Sequence, residues 1–166
     1  GDSSIDWPWA FRCRVRYEIL DDAIDTRVTL QNTGSSSMPA GLGFHPFFSR
    51  VLWDQRDEVE LRYTPRGRYP CAAMLPEAPA QADDLVHRMQ RGPIPIRELH
   101  LDDVFLGSTD GATLTWPASG VRAAFECSPE LGHGVLYTQQ PGSFCFEPVT
   151  MVNNGFNLSE EFRTGV

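Results

Sequence analysis

Hydrophobic and polar residues alternate along much of this chain with a period of two. From Phe11 to Ile19, the side chains of Phe11, Cys13, Val15, Tyr17 and Ile19 fall on one side and those of Arg12, Arg14, Arg16 and Glu18 on the other. That is the pattern of an extended strand with one dry and one wet face. Similar runs span Thr26 to Gln31, Glu58 to Tyr63, Ala112 to Trp116, Val121 to Cys127 and Gly134 to Thr138. Turn-forming clusters separate them at Leu20-Asp21-Asp22, Asn32-Thr33-Gly34, Thr109-Asp110-Gly111, Ala118-Ser119-Gly120 and Pro141-Gly142. Strands punctuated in this way predict an all-β chain folded as an antiparallel β-sandwich. Only Ala82 to Arg91 has a helical pattern: Leu85 and Met89 share a face, Asp83 and Asp84 come early, Arg88 and Arg91 late, and Gly92-Pro93 follows as a stop. At most one short helix is therefore expected. The stretch around Pro76 and Pro79 predicts a long surface connection, because strand-like patterns continue on both sides of it.

A length of 166 residues with 41% hydrophobic and 22% charged residues suits one folded domain spanning 1–166. Fourteen basic residues face 22 acidic ones, a net charge of -8 that repels phosphate backbones and anionic membrane surfaces. Neither nucleic acid nor membrane is an expected partner. All 14 basic residues are Arg, a bias that suggests a GC-rich bacterial source. Without an apolar run of roughly 18–20 residues or a basic start leading into an apolar stretch, a cytoplasmic location is expected. Cys13, Cys71, Cys127 and Cys145 lack CxxC spacing and are expected to be reduced and mostly buried. The four histidines, His45, His87, His100 and His133, lack HxxxH spacing, so no metal site is indicated. Neither a Walker loop nor a GxGxxG turn points to a nucleotide cofactor. Asn157-Leu158-Ser159 has the pattern of a glycosylation sequon, read here as chance. Arg12, Arg14 and Arg16 form a row suited either to a sugar phosphate or, as expected of most charge runs, to a solvated face paired with acids such as Glu58 and Glu60.

Two segments are harder to explain as scaffold. In Met38-Pro39-Ala40-Gly41-Leu42-Gly43-Phe44-His45-Pro46-Phe47-Phe48, a histidine sits between close glycines and a proline that restricts its backbone to extended geometry. In Ser143-Phe144-Cys145-Phe146-Glu147-Pro148, alternation turns Phe144 and Phe146 to one face while Glu147 shares the other with Cys145. Taken singly, His45 reads equally as a hydrogen-bonded core histidine and Glu147 as a strand-end residue.

Taken together, these segments resemble the aldose 1-epimerase (galactose mutarotase-like) family. The resemblance runs from Trp7-Pro8-Trp9-Ala10-Phe11 through Leu30-Gln31-Asn32 and Gly43-Phe44-His45-Pro46-Phe47-Phe48. It continues at Leu101-Asp102-Asp103-Val104-Phe105 and ends at Cys145-Phe146-Glu147-Pro148-Val149-Thr150 with Asn157. It implies a large β-sandwich that interconverts the anomers of a free aldose, an aldohexose-class sugar, without metal or cofactor. It further implies His45 as general acid, Glu147 as general base and Asp102 as a ligand of sugar hydroxyls. Family members also carry a segment ahead of the Trp-Pro motif, with a further arginine and histidine, and a closing strand. This chain is expected to lack both, and the sheet edges so exposed to pair two copies into a homodimer.

The chemistry suits these residue types. Mutarotation needs a base to take the proton of the anomeric hydroxyl while an acid protonates the ring oxygen, so that the ring opens to an aldehyde and closes on its other face. Histidine and carboxylate titrate at roughly 6.5 and 4.3, so neither needs an extreme shift to act near neutrality. Phe48 or Trp53 would supply an apolar wall for a sugar face. The choice between Asp102 and Asp103 rests on the motif alone. Two other readings stay open: a sugar-binding module of the same fold without turnover, and a glycosidase using Glu147 with Asp102 or Asp103.

Overall fold

The structure, a computed structural model, describes residues 7–72 and 75–158. The chain divides into two units, Gly1–Ala40 and Gly41–Val166. In the first, the alternating run folds as β1 (Phe11–Ile19) and pairs antiparallel with β2 (Ile24–Asn32). The Leu20 N–H donates to the Ala23 carbonyl at 2.9 Å and closes the turn between them. Register sets Cys13 against Leu30 and Val15 against Val28 on one face, and Arg14 against Thr29 and Arg16 against Arg27 on the other. The arginine row takes different partners from those expected: Arg16 pairs with Glu18 on its own strand at 2.6 Å, and Glu58 pairs with Arg97.

The second unit opens with β3 (Phe47–Ser49), β4 (Glu60–Arg62), β5 (Gly67–Arg68), β6 (Cys71–Ala72) and β7 (Leu75–Pro76). After these come α1 (Asp84–Arg91), β8 (Ile94–Pro95), β9 (Asp102–Leu106), β10 (Thr113–Trp116) and β11 (Val121–Ala124). The last strands are β12 (His133–Tyr137) and β13 (Ser143–Val149). Every pairing is antiparallel. One sheet has the order β3-β13-β12-β9-β5, a second the order β11-β10-β4-β8, and β6 and β7 form a small hairpin. The Pro-rich connection thus carries two short strands rather than plain loop.

The two larger sheets enclose one core. Phe105, Leu136, Phe144 and Phe146 from the first meet Leu61, Ile94, Leu114 and Trp116 from the second. Burying one such side chain stabilises the fold by about 1.5–3 kcal/mol. The Trp116 indole N–H donates to the Ser49 carbonyl at 2.9 Å, which fixes the sheets in register where the ring is too polar to be buried unpaired. This is the expected antiparallel sandwich. The turns fall as expected too, with Gly111 and Gly120 at φ 74° and 68°, a backbone region that favours glycine.

Helix α1 is the one α-helix among the described residues. It begins where Asp83 caps it, its carboxylate accepting from the Val86 N–H at 2.9 Å. Val86 and Met89 are its buried residues, rather than the expected Leu85 and Met89; Leu85 packs only at the margin of the core. No helix among the described residues is long and apolar enough to cross a membrane. The cysteines also depart from expectation: all four are free thiols, but Cys145 alone is buried, Cys71 and Cys127 are half-buried and Cys13 is exposed. Cys13 lies on the two-stranded ribbon of the first unit, where much of the apolar row stays open to solvent. Ser159 of the sequon lies outside the described residues.

Candidate active site

The period of two gives β13 two chemistries. Phe144 and Phe146 enter the core between the sheets, so Cys145 and Glu147 must project from the opposite face of the five-stranded sheet. Cross-strand register then builds that face. Phe47, Cys145, Tyr137 and Asp102 form one row across β3, β13, β12 and β9. Glu147, Val135 and Val104 form the next.

His45 reaches the second row from the segment ahead of β3. Phe47 pairs with Cys145, and Gly43 makes an isolated bridge to Val149, so the two strands keep one register on either side of His45. His45 therefore stands opposite Glu147. The hydrogen-bonded ladder lapses between them because Pro46 and Pro148 have no N–H to offer, while the Phe44 N–H still donates to the Pro148 carbonyl at 3.0 Å. Two glycines allow the close approach: a Cβ on Gly43 would sit 2.6 Å from Val149 Cγ1, and one on Gly41 would sit 1.9 Å from Met151 Sδ. Along the same junction a shallow cleft of about 200 Å³ is lined by Gly41, Leu42, Gly43, Val149 and Met151.

The resulting pair is close and asymmetric. His45 Nε2 lies 3.3 Å from Glu147 Oε1, with 59% of the histidine side chain exposed and only 11% of the glutamate. The imidazole stacks on Phe47, ring centres 5.1 Å apart and planes 22° from parallel. Burial pushes the Glu147 carboxyl above its ordinary range; the neighbouring His45 pulls it back and the negative charge of Asp102 adds to the rise. Beside it, burial and then the charges of Glu147 and Asp102 push the Cys145 thiol up to about 11.

The other residues singled out from sequence are placed as follows. Asp102 lies on the Glu147 side of the sheet, and Asp103 on the core side beside Phe105, where Arg68 ion-pairs with it at 3.5 Å and with Asp83 at 2.5 Å. Burial raises the Asp103 carboxyl and Arg68 opposes the rise. Phe48 is turned away from Glu147, into the core against Phe125 and Phe144. Trp53 is exposed on the loop after β3. There the Leu52 N–H donates to Asp57, the Asp54 N–H donates to Ser119 Oγ, and Asp57 accepts from the Ser119 N–H and Oγ, so the loop is anchored to the β10–β11 turn rather than to the row carrying Glu147. Neither aromatic expected as a wall is thus brought to the pair; Phe47, one residue from Phe48, is. The register that pairs Phe47 with Cys145 puts Phe47 beside His45. A further buried pair, His133 and Tyr69, joined at 3.2 Å between Nε2 and the hydroxyl, carries no motif that would have marked it.

The aldose 1-epimerase family profile matches residues 1–161. Among solved structures, the chain is similar to a candidate aldose 1-epimerase from Escherichia coli K12, with 17% identity, a TM-score of 0.77, and 94% of this chain and 55% of that one covered. It is similar to a galactose mutarotase-like protein from Clostridium acetobutylicum at 18% identity and a TM-score of 0.77, covering 93% of this chain and 50% of that one. A galactose mutarotase-like protein from Lactobacillus casei ATCC 334 gives 20% identity and a TM-score of 0.64, covering 88% and 53%. The chain spans about half the length of each of these proteins. Since the family profile covers nearly every residue and the same sandwich recurs in these structures, this chain belongs to the aldose 1-epimerase family.

Proposed function

We propose that this chain interconverts the α and β anomers of a free aldose by acid/base ring opening, with His45 and Glu147 as the reacting pair. The observation that carries the reading is their 3.3 Å juxtaposition, a buried carboxylate against an imidazole that is open to solvent. The anomeric hydroxyl and the ring oxygen share one carbon, so an acid and a base that must address both have to stand close together. Two carboxylates arranged for glycoside cleavage are instead set about 5–9.5 Å apart around the scissile bond. Of the pairs considered for that chemistry, Glu147 with Asp103 is removed by the placement of Asp103 on the opposite face.

In the proposed reaction Glu147 takes the proton of the anomeric hydroxyl as His45 protonates the ring oxygen. The bond between the anomeric carbon and the ring oxygen breaks and a carbonyl forms. Rotation of the open chain presents the other carbonyl face, and the same two groups return the protons in reverse. Raising the Glu147 carboxyl by burial suits it to this work, since a base pulled toward the operating pH holds an abstracted proton more readily. Asp102, in the adjacent row, accepts hydrogen bonds from sugar hydroxyls.

Polarimetry from a single pure anomer tests the reading. The wild-type chain is expected to accelerate mutarotation of an aldohexose, and Glu147→Gln and His45→Asn each to lower that acceleration by about a hundredfold to ten-thousandfold. Equal rates for all three proteins would reject it. If calorimetry then still detected sugar, the chain would be a binding module of the same fold.

A further inference from the structure

Cys145 shares the Glu147 side of β13, and His45 stands over that side from the neighbouring segment. One donor atom from each residue, a ring nitrogen, a sulfur and a carboxylate oxygen, lies within 4.8 Å of the other two. Cys145 and Glu147 are buried, whereas His45 is exposed and leaves the cluster open to solvent on its side. We propose that His45, Cys145 and Glu147 form a binding site for one zinc-class divalent cation, with the fourth coordination position open.

The geometry is close to what such an ion needs. Zinc binds sulfur at about 2.3 Å and nitrogen or oxygen at about 2.0–2.2 Å, so two ligands of a tetrahedral site are themselves roughly 3.3–3.8 Å apart. His45 Nε2 and Glu147 Oε1 already have that spacing, at 3.3 Å. The sulfur lies within 4.8 Å of both, so closing the set around an ion needs only a short approach of the three donors. Two of the ligands lie two residues apart on one strand, and the third is set by the register that runs from Gly43 to Phe47, so the donors are gathered before an ion arrives. The stacked Phe47 ring holds the imidazole plane. A mixed nitrogen, sulfur and oxygen set selects zinc and similar borderline ions over magnesium or calcium, which take oxygen ligands almost alone. As the metal–sulfur bond forms, the Cys145 thiol gives its proton to solvent, and the thiolate and carboxylate together neutralise the dication. An ion held here occupies both groups assigned to mutarotation, so cation and sugar would exclude each other. The binding itself does not depend on that assignment.

Titrating the chelator-stripped full chain with Co²⁺ reads the site directly, and competition with Zn²⁺ gives its affinity. One equivalent of Co²⁺ is expected to give a sulfur-to-cobalt charge-transfer band with visible bands of tetrahedral intensity, and one equivalent of Zn²⁺ to bleach both. Cys145→Ser should abolish the charge-transfer band. The exposed His45→Asn, which leaves the core untouched, should weaken Zn²⁺ binding by more than the roughly 10- to 100-fold that loss of an outer-shell partner costs. Circular dichroism of each variant reports that it folds. A charge-transfer band that persists in Cys145→Ser would place the ion on another cysteine, and Zn²⁺ affinity unchanged in His45→Asn would overturn the site. Neither result bears on polarimetry of the metal-free protein, so failure of the metal site and failure of the mutarotase reading are told apart.

Discussion

His45 Nε2 stands 3.3 Å from Glu147 Oε1 because the two residues face each other across a ladder that two prolines interrupt but do not shift. Facing positions of an antiparallel pair put their Cβ atoms about 4.5–5.5 Å apart, within reach for side chains of this length. The pair is thus a product of backbone register, and its spacing is exposed to anything that displaces the segment before β3.

Gly43 is the place to displace it. Its missing Cβ would meet Val149 Cγ1 at 2.6 Å, so Gly43→Ala must push the segment away from β13. The expected cost is about 1–3 kcal/mol of stability, as for other overpacking. Since misplacing a catalytic group by about 1 Å costs on the order of a hundredfold, the mutarotation rate should fall by a similar factor. Adding Val149→Ala makes room for the methyl and should recover most of both. Polarimetry and thermal denaturation of the single and double variants check this; a fully active Gly43→Ala would show that the ladder does not position His45.

The pH profile follows from the burial of Glu147. A base must be ionised to act, and burial raises this carboxyl above its ordinary 4.5, with His45 opposing and Asp102 reinforcing. Activity should therefore fall as pH drops through a value above 4.5. His45 and Glu147 interact, so this acid limb belongs to the pair rather than to Glu147 alone. Removing the Asp102 charge takes away one cause of the rise, and Asp102→Asn should move the acid limb to lower pH. An acid limb that stays in place in Asp102→Asn would separate that charge from Glu147.

Asp102 and Asp103 are adjacent in sequence and opposite in consequence. Asp102 lies on the Glu147 side, and Asp103 is engaged by Arg68 on the other. Asp102→Asn is expected to raise KM for the sugar by about 10- to 100-fold, since a hydrogen bond to a charged group is worth about 1.5–3 kcal/mol. Asp103→Asn is expected to leave KM unchanged and to cost about 1 kcal/mol of stability or less, because Arg68 keeps Asp83. Steady-state kinetics and denaturant melts on the two variants decide it.

Which parts of this were legible in sequence follows from the range of the forces involved. The sandwich, its turns and the one short helix rest on local periodicity and turn chemistry, and these survived folding within a few residues, as at Asp83 and Gly120. The division of β13 between core and site was legible for the same reason. What escaped was pairing between segments far apart in the chain. Alternation cannot say which of Phe47 and Phe48 faces His45 until register with Cys145 is known, and both Phe48 and Trp53 were drawn elsewhere, one by core packing and the other by the Asp57–Ser119 hydrogen bonds. Metal-ligand spacing fails in the same way, because the donors of the His45, Cys145 and Glu147 cluster come from two segments about a hundred residues apart and no short motif contains them.

His133 supplies a test of stability that is independent of the site. It is 3% exposed, with Nε2 at 3.2 Å from the Tyr69 hydroxyl, and burial lowers its pKa below the ordinary 6.5, a backbone hydrogen bond at Thr150 opposing the shift. The native state thus holds this imidazole neutral at a pH where the unfolded chain already binds a proton. With more protons on the unfolded state, stability rises with pH, so it is fully present above 6.5 and is lost as pH falls from there toward the depressed native value. The slope for one such group approaches about 1.4 kcal/mol per pH unit inside that window. Glu147 and Asp103, whose carboxyls are raised, act in the opposite direction, retaining protons in the native state that the unfolded state has lost. Comparing His133→Gln with wild type isolates the histidine, because both proteins keep the two carboxyls. Urea unfolding at several pH values between 5 and 7.5 should show the variant less stable than wild type near neutrality, with a gap that narrows by roughly 1 kcal/mol per unit as pH falls below 6.5. A gap that stays constant with pH would mean that His133 binds its proton as readily in the folded protein as in the unfolded chain.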